Sequence, residues 1–409
     1  MPAVFSSKRV LPVLIVLYSL NFMDRSVLAM VSEAMRLDLG LNDMQMGLCH
    51  SILLISLVLF IIPCSVLNDI FGPRRMLSLA AGLWSLSMAG TGLAVSFLSL
   101  VAPRVFAGAN EAFTGAGGAS WLSQLHPPQK RGRILGLFYM SVPLGMALGT
   151  LLGGLVLAVF NNWRLAFLFF IVPGIALMLV IPRLPEVKPA GGENYWDGCK
   201  KLMRSRVLLL TGLAVGSYII LKFSYQAWMP TLIMRTYNLN NGVVGLLSAC
   251  MLLAGAAGPY IGGSLADFWQ ARSPNGKIKA AIACMLVMVI NKMFFYYLVG
   301  KAGLPLICML GLVDGVLTMT PLPIYFNLVQ DVVPSRHRNL AIGVMGTLGY
   351  FTGGAWGPLL VGVLSDAFGS GAEGLRLAMM TLSTVGVLSI IFYMCQLKIY
   401  PREKAAVEE

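Results

Sequence analysis

Two charged clusters interrupt otherwise apolar sequence in the first third of the chain, Asp24-Arg25 and the set Arg104, Gly108 and Glu111. The latter are spaced i, i+4, i+7, which puts them on one helix face over ~10 Å of helix axis. A buried carboxylate beside an arginine stays ionised, because the opposite charge offsets its desolvation. When the partner withdraws, the acid takes up a proton. Asp24 and Glu111 are therefore candidate proton-coupling groups, while Arg25 and Arg104 are candidates to tune them or to bind an anionic substrate. The bland reading of the same residues is a static ion pair bracing two helices. Lys222 in LKFSYQAWMP stands near Tyr225 and Gln226 and could line an amphipathic wall, or could snorkel from a helix face. Asp314 is a further substrate-binding or charge-tuning candidate. Lys292, beside Asn291, could be structural or functional, and His50 a pH-sensitive group or a hydrogen-bonded packing histidine. Tyr139, Tyr325, Tyr350 and Trp356 fall in stretches expected to border a cavity.

What makes these charges informative is their surroundings. The 409 residues are 57% hydrophobic and 11% charged, against about 25% charged in a soluble domain. Lipid must solvate much of such a chain. A charge at the bilayer centre costs about 2.5–3.5 kcal/mol, so it should face protein or a water-filled cavity. Stretches of roughly 20 apolar residues cross a bilayer as helices. They are expected near 10–31, 44–66, 75–96, 98–123, 133–159, 163–182, 207–230, 242–266, 279–299, 304–328, 339–363 and 375–397. The first could pass for a signal peptide, but Asn21 and Asp24-Arg25 do not suit an h-region, and it is read as a retained span. Residues 183–206 form the one long polar break, rich in Pro and Gly with a basic end. The fold class implied is all-α and integral to a membrane, as two six-helix bundles, 1–182 and 207–409, joined by a linker at 183–206. A short tail follows the last span.

A net charge of +13 would suggest nucleic-acid binding in a soluble protein. Here most of the Lys and Arg residues fall in alternate loops, including Arg74, Arg75, Arg131, Arg133, Arg336 and Arg338. Only Arg36, Arg164, Arg235, Lys301 and Arg376 fall opposite. That asymmetry predicts both termini in the cytoplasm. The two halves also repeat. Asp69 after span 2 and Asp267 after span 8 are 198 residues apart; Arg131 and Arg133 precede Arg336 and Arg338 by 205. Glycine runs follow in span 5 (Gly145, Gly149, Gly153, Gly154) and span 11 (Gly349, Gly353, Gly354, Gly357), most simply for close helix packing. Parallel repeats of this kind place a substrate site near the membrane midplane between the halves.

On these residues the chain resembles the major facilitator superfamily. SVLNDIFGPRR is similar to its signature G-x-L-x-D-R-x-G-R-R/K, matching at Leu67, Asp69, Gly72, Arg74 and Arg75 and departing at Ser65, Ile70 and Pro73. GGSLADFW repeats Gly263, Leu265 and Asp267. Within the superfamily, Asn21-Phe22-Met23-Asp24-Arg25, the run Arg104 to Ala112 and the run Phe138 to Gly145 are similar to Spinster-like transporters. The first two motifs occur also in organic anion:cation symporters. The resemblance implies alternating-access transport, with proton-coupling carboxylates at Asp24 and Glu111. It implies a cytoplasmic gate at Asp69, Gly72, Arg74, Arg75 and Asp267. It implies as substrate a lysolipid-like amphiphile or an organic anion, or, by the symporter likeness, a small carboxylate or sugar acid.

Other classes lack support. No HExxH or GxSxG occurs, and GAGG at 115–118 lies inside span 4 rather than after a strand. A channel is disfavoured by the doubled plan and the loop motifs. The seven cysteines (Cys199 alone outside an apolar run) show no CxxC pair, so no disulfide framework, metal or other cofactor is expected. The expected partners are the substrate, protons and membrane lipids, not nucleic acid. A monomer in a bacterial inner membrane is anticipated.

Overall fold

The computed structural model describes residues 9–186, 202–334 and 338–408. Each of the twelve expected spans is helical. They are α1 (Val10–Leu39), α2 (Asp43–Phe71), α3 (Pro73–Gly92), α4 (Phe97–Leu125), α5 (Pro128–Tyr139 continuing as Ser141–Phe160) and α6 (Leu165–Arg183). Then follow α7 (Arg206–Tyr237), α8 (Asn241–Gln270), α9 (Gly276–Leu298), α10 (Leu304–Asp331), α11 (Arg338–Gly349 and Gly357–Ala367, joined by a π-helical turn at Tyr350–Gly354) and α12 (Ala372–Gln396). A short helix, α13 (Tyr400–Glu408), lies beyond the last span. The spans leave large apolar side chains uncovered, such as Leu59, Ile62, Val172 and Tyr260, a surface that lipid rather than water accommodates.

Helix ends follow local chemistry. Asn42 caps α2 in a reciprocal pair with Gln45, at 2.8 and 3.0 Å. Ser96 and Ser99 do the same for α4, and Ser205 caps α7. At Gly72 the chain turns directly from α2 into α3 with φ +81° and ψ 148°, a conformation essentially confined to glycine. That is the structural reason for the glycine in the loop motif.

The chain divides into two compact units, Met1–Glu193 with Leu239–Ala249, and Asn194–Asn238 with Cys250–Glu409. The expected linker lies largely outside the described residues, as does Cys199. In the first unit α1 packs along α5, α2 along α4, and α3 against α4 and α6. A Cβ on Gly145 would sit 2.3 Å from the Ser19 carbonyl oxygen, and one on Gly149 would sit 2.5 Å from that of Met23. The α1 and α5 backbones therefore touch. The start of α8 groups with this unit because two glycines let it meet α5: a Cβ on Gly245 would lie 2.8 Å from the Thr150 oxygen, and one on Gly154 would lie 2.7 Å from that of Asn241. The second unit repeats the α1–α5 device between α7 and α11, where Gly353 abuts the Gly216 carbonyl and Gly357 that of Ile220. The glycine runs of spans 5 and 11 thus serve the same packing role in both units.

Candidate coupling and binding residues

Asp24 and Arg25 are consecutive on α1, yet both find partners on α4. Arg104 donates from Nη1 to Asp24 Oδ1 at 2.8 Å and to Oδ2 at 3.0 Å, and from Nη2 to Thr91 Oγ1 on α3 at 2.6 Å. Its guanidinium is fully buried and lies 5.6 Å from the Phe167 ring centroid. Thr91 passes its own proton to the Ser87 carbonyl at 2.8 Å, so its oxygen is oriented to receive Arg104. Arg25 Nη2 meets Glu111 Oε2 at 2.5 Å, and the Arg25 guanidinium lies 5.4 Å from the Phe22 centroid. Asn110 Nδ2 donates to Asn21 Oδ1 at 2.7 Å. Three polar links therefore join α1 to α4 within an apolar bundle. Arg104 and Glu111 do share a face, as their spacing requires, but each is matched to an opposite charge on α1 and not to the other. Gly108, between them, admits α2 instead of opening a path: a Cβ there would lie 2.3 Å from the Leu53 oxygen.

This network is only partly satisfied. Asn21 Nδ2, Asn110 Oδ1, Ser26 Oγ and Arg104 Nε are buried with no hydrogen-bond partner among the described residues. Buried polar atoms are nearly always paired by protein or water. Orphans of this kind cluster where a solvent molecule or ligand completes the pairing.

In the second unit Lys222 is half-buried, 5.6 Å from the Phe223 ring, and Gln226 Oε1 is buried without a hydrogen-bond partner. Tyr225 is buried, its hydroxyl directed to Met251 Sδ at 3.6 Å. Asp314 is fully buried and accepts from Lys292 Nζ at 2.7 Å and from Asn291 Nδ2 at 3.2 Å. Lys292 also stands 4.3 Å over the Tyr225 ring. Lys292 and Asp314, weighed separately in the sequence, form one unit with Tyr225. Thr91 and Asn110 carry no charge and drew no attention as sequence, yet both complete the first unit's network.

The remaining candidates scatter. His50 joins α2 to α1 through Ser32 Oγ at 2.9 Å. Tyr325 is buried against Tyr218 at 6.0 Å, Tyr350 stands 5.7 Å from Phe223, and Tyr139 and Trp356 are about half exposed. Among the motif residues, Arg74 bonds Glu186 Oε2 at 2.6 Å, just beyond α6. Arg75 and Asp267 are exposed, and Asp69 is half-buried. Four of the five cations expected on the far side are held by neighbours: Arg36 by Glu33, Arg164 by Asp38, Arg376 by Glu373, and Arg235 by the Ser370 carbonyl.

A multi-pass bundle with duplicated glycine seams and charge pairs sealed inside its spans is the architecture of an integral membrane protein, and its relatives make it a transporter rather than an enzyme. The sequence profile described as Major Facilitator Superfamily matches residues 14–274 and 211–409, and the chain belongs to that family. It is 24% identical over 397 residues to the Hexuronate transporter of Bacillus subtilis (strain 168), covering 91% of this chain and 92% of that one. It is 21% identical over 433 residues to Protein spinster homolog 1 of Xenopus tropicalis, covering 95% and 80%. Among solved structures, a bacterial homolog to the human lysosomal transporter Spinster, inward-facing and occupied, matches with TM-score 0.85 at 20% identity over 97% of this chain and 98% of that one. The fold is therefore the twelve-helix arrangement of that superfamily.

Proposed function

We infer that the protein is a proton-coupled secondary carrier of organic anions, working by alternating access in a bacterial inner membrane with both termini cytoplasmic. The observation that carries this reading is the pair of α1–α4 ion pairs bordered by unsatisfied polar atoms. A purely structural brace gains nothing from charge, since apolar side chains of similar volume hold buried positions as well or better. As a switch, the arrangement has a clear logic. A proton on Glu111 or Asp24 leaves its arginine as an uncompensated buried cation, which is costly until an anion arrives. Proton and anion then enter together, each making the other's burial tolerable.

The charge inventory points to an anion. Toward the middle of the spans stand four cations, Arg25, Arg104, Lys222 and Lys292, and three acids, Asp24, Glu111 and Asp314. The relatives named for hexuronate and the Spinster homologues suggest two kinds of anion, a sugar acid and an amphiphile with an anionic head. Asp69, Gly72, Arg74, Arg75 and Asp267 then act at the cytoplasmic gate, and residues 1–182 and 207–409 are the two rocking bundles. The test is flux in proteoliposomes carrying a pH-sensitive dye, with glucuronate and lysophosphatidylglycerol as alternative probes. Wild type should couple an inward proton gradient to uptake of one of them, and Glu111→Gln and Asp24→Asn should lose that coupling. Unchanged coupling in both variants would sink the proposal, and conductance far above carrier rates would favour a channel.

A further inference from the structure

The sequence repeat reaches further than the loop markers that revealed it. Asp314 on α10 lies 203 residues after Glu111 on α4, Tyr225 on α7 lies 201 after Asp24 on α1, and Lys292 on α9 lies 201 after Thr91 on α3. These offsets fall inside the 198–205 range set by the loop residues. In the first unit the polar cluster ties α1, α3 and α4 through Asp24, Thr91 and Arg104. In the second it ties α7, α9 and α10 through Tyr225, Lys292 and Asp314. The same three helices of each repeat meet at a buried charge pair, with the acid moved from the first helix to the fourth, the cation from the fourth to the third, and a tyrosine ring in the first helix's place.

We propose that Lys292–Asp314 is a second proton-binding site of the carrier, the second unit's counterpart of the α1–α3–α4 cluster, with Asp314 receiving the proton. The proposal rests on the carrier reading above. Asp314 Oδ2 already gathers Lys292 Nζ at 2.7 Å and Thr318 Oγ1 at 3.4 Å, while Oδ1 takes Asn291. The charged or titratable groups facing it are Lys292 and Tyr296 on α9 and Tyr225 on α7; α8 contributes Met251, which meets the α10 backbone at Gly315. Lys292 is 1% exposed and its pair is no cheaper to bury than those of α1 and α4, so a mere brace again has no advantage over apolar packing. A proton taken up on Oδ2 breaks the pair and leaves Lys292 cationic and in need of an anion.

The experiment is infrared difference spectroscopy of the full-length protein in proteoliposomes, stepped between neutral and acidic pH with no substrate present. Wild type should show protonated-carboxyl C=O stretching intensity on acidification, and Asp314→Asn should remove one component that persists in Asp24→Asn and Glu111→Gln. A variant spectrum identical to wild type overturns the proposal. The double variant Lys292→Met/Asp314→Leu separates a proton site from a brace, because it replaces the pair with apolar packing. It should keep its melting temperature while carrying one proton fewer per glucuronate or lysolipid. A wild-type proton count in that folded double variant also overturns the proposal. Because the infrared readout needs no substrate, it stands or falls separately from the coupling assay on Glu111 and Asp24.

Discussion

Asp24→Asn should destabilise the first unit by about 3–5 kcal/mol, the usual consequence of leaving one member of a buried ion pair alone. Asp24 is 1% exposed and Arg104 is 0% exposed, so neither charge can turn to water when its partner is lost. The asparagine keeps one acceptor for Nη1, which holds the effect near the lower end, ~3 kcal/mol and more than a hundredfold in the folding equilibrium. Arg104→Met should cost at least as much, because it strands the Asp24 carboxylate and removes the donor to Thr91. In a cycle closed with the single Asp24→Leu, combining it with Arg104→Met removes both charges and should recover most of the loss, a coupling of about 3 kcal/mol or more between positions 24 and 104. The corresponding cycle at Arg25 and Glu111 should give a smaller coupling. Those side chains retain 8% and 6% exposure, which lets some solvent relax the stranded charge. The assay is reversible unfolding in mixed micelles titrated with a denaturing detergent, applied to wild type, singles and doubles. Single losses that sum to the double within about 0.5 kcal/mol would show uncoupled sites and refute the argument.

Two glycine predictions follow from the backbone contacts. Gly145→Ala places a Cβ 2.3 Å from the Ser19 carbonyl, backbone that cannot swing aside, and should lower stability by about 1–3 kcal/mol. Gly136→Ala is its internal comparison: it meets nothing within 4 Å in the helix Pro128–Tyr139 and should be neutral or stabilising by up to ~1 kcal/mol; thermal melts of the two variants decide it. Gly72→Ala forces a side chain into φ +81° and should cost about 1–3 kcal/mol, read as a lowered melting temperature with the α2–α3 junction disturbed.

Much of the architecture is legible in the chain because membrane insertion imposes one-dimensional rules. Each span must satisfy its own backbone, so apolar length alone marks the helices, and residues such as Gly145 and Gly353 announce where backbones meet. Boundaries were less legible: α1 and α7 run well past the apolar stretch, to Leu39 and Tyr237, because polar residues at their ends still satisfy helical hydrogen bonds. The π turn at Tyr350–Gly354 carries no signal beyond its glycines.

For the charged residues the division is sharper. The sequence by itself determined that Asp24, Arg25, Arg104, Glu111, Lys292 and Asp314 lie within membrane helices, since that follows from local composition. It could not say who pairs with whom, because partners on different helices depend on rotation and depth of packing, not on spacing along one chain. Only the tertiary structure set Arg104 on Asp24 and Thr91, Arg25 on Glu111, and Lys292 on Asp314 beneath Tyr225. The glycine seams bring the helices close enough for those choices, and the low dielectric between them makes each choice consequential.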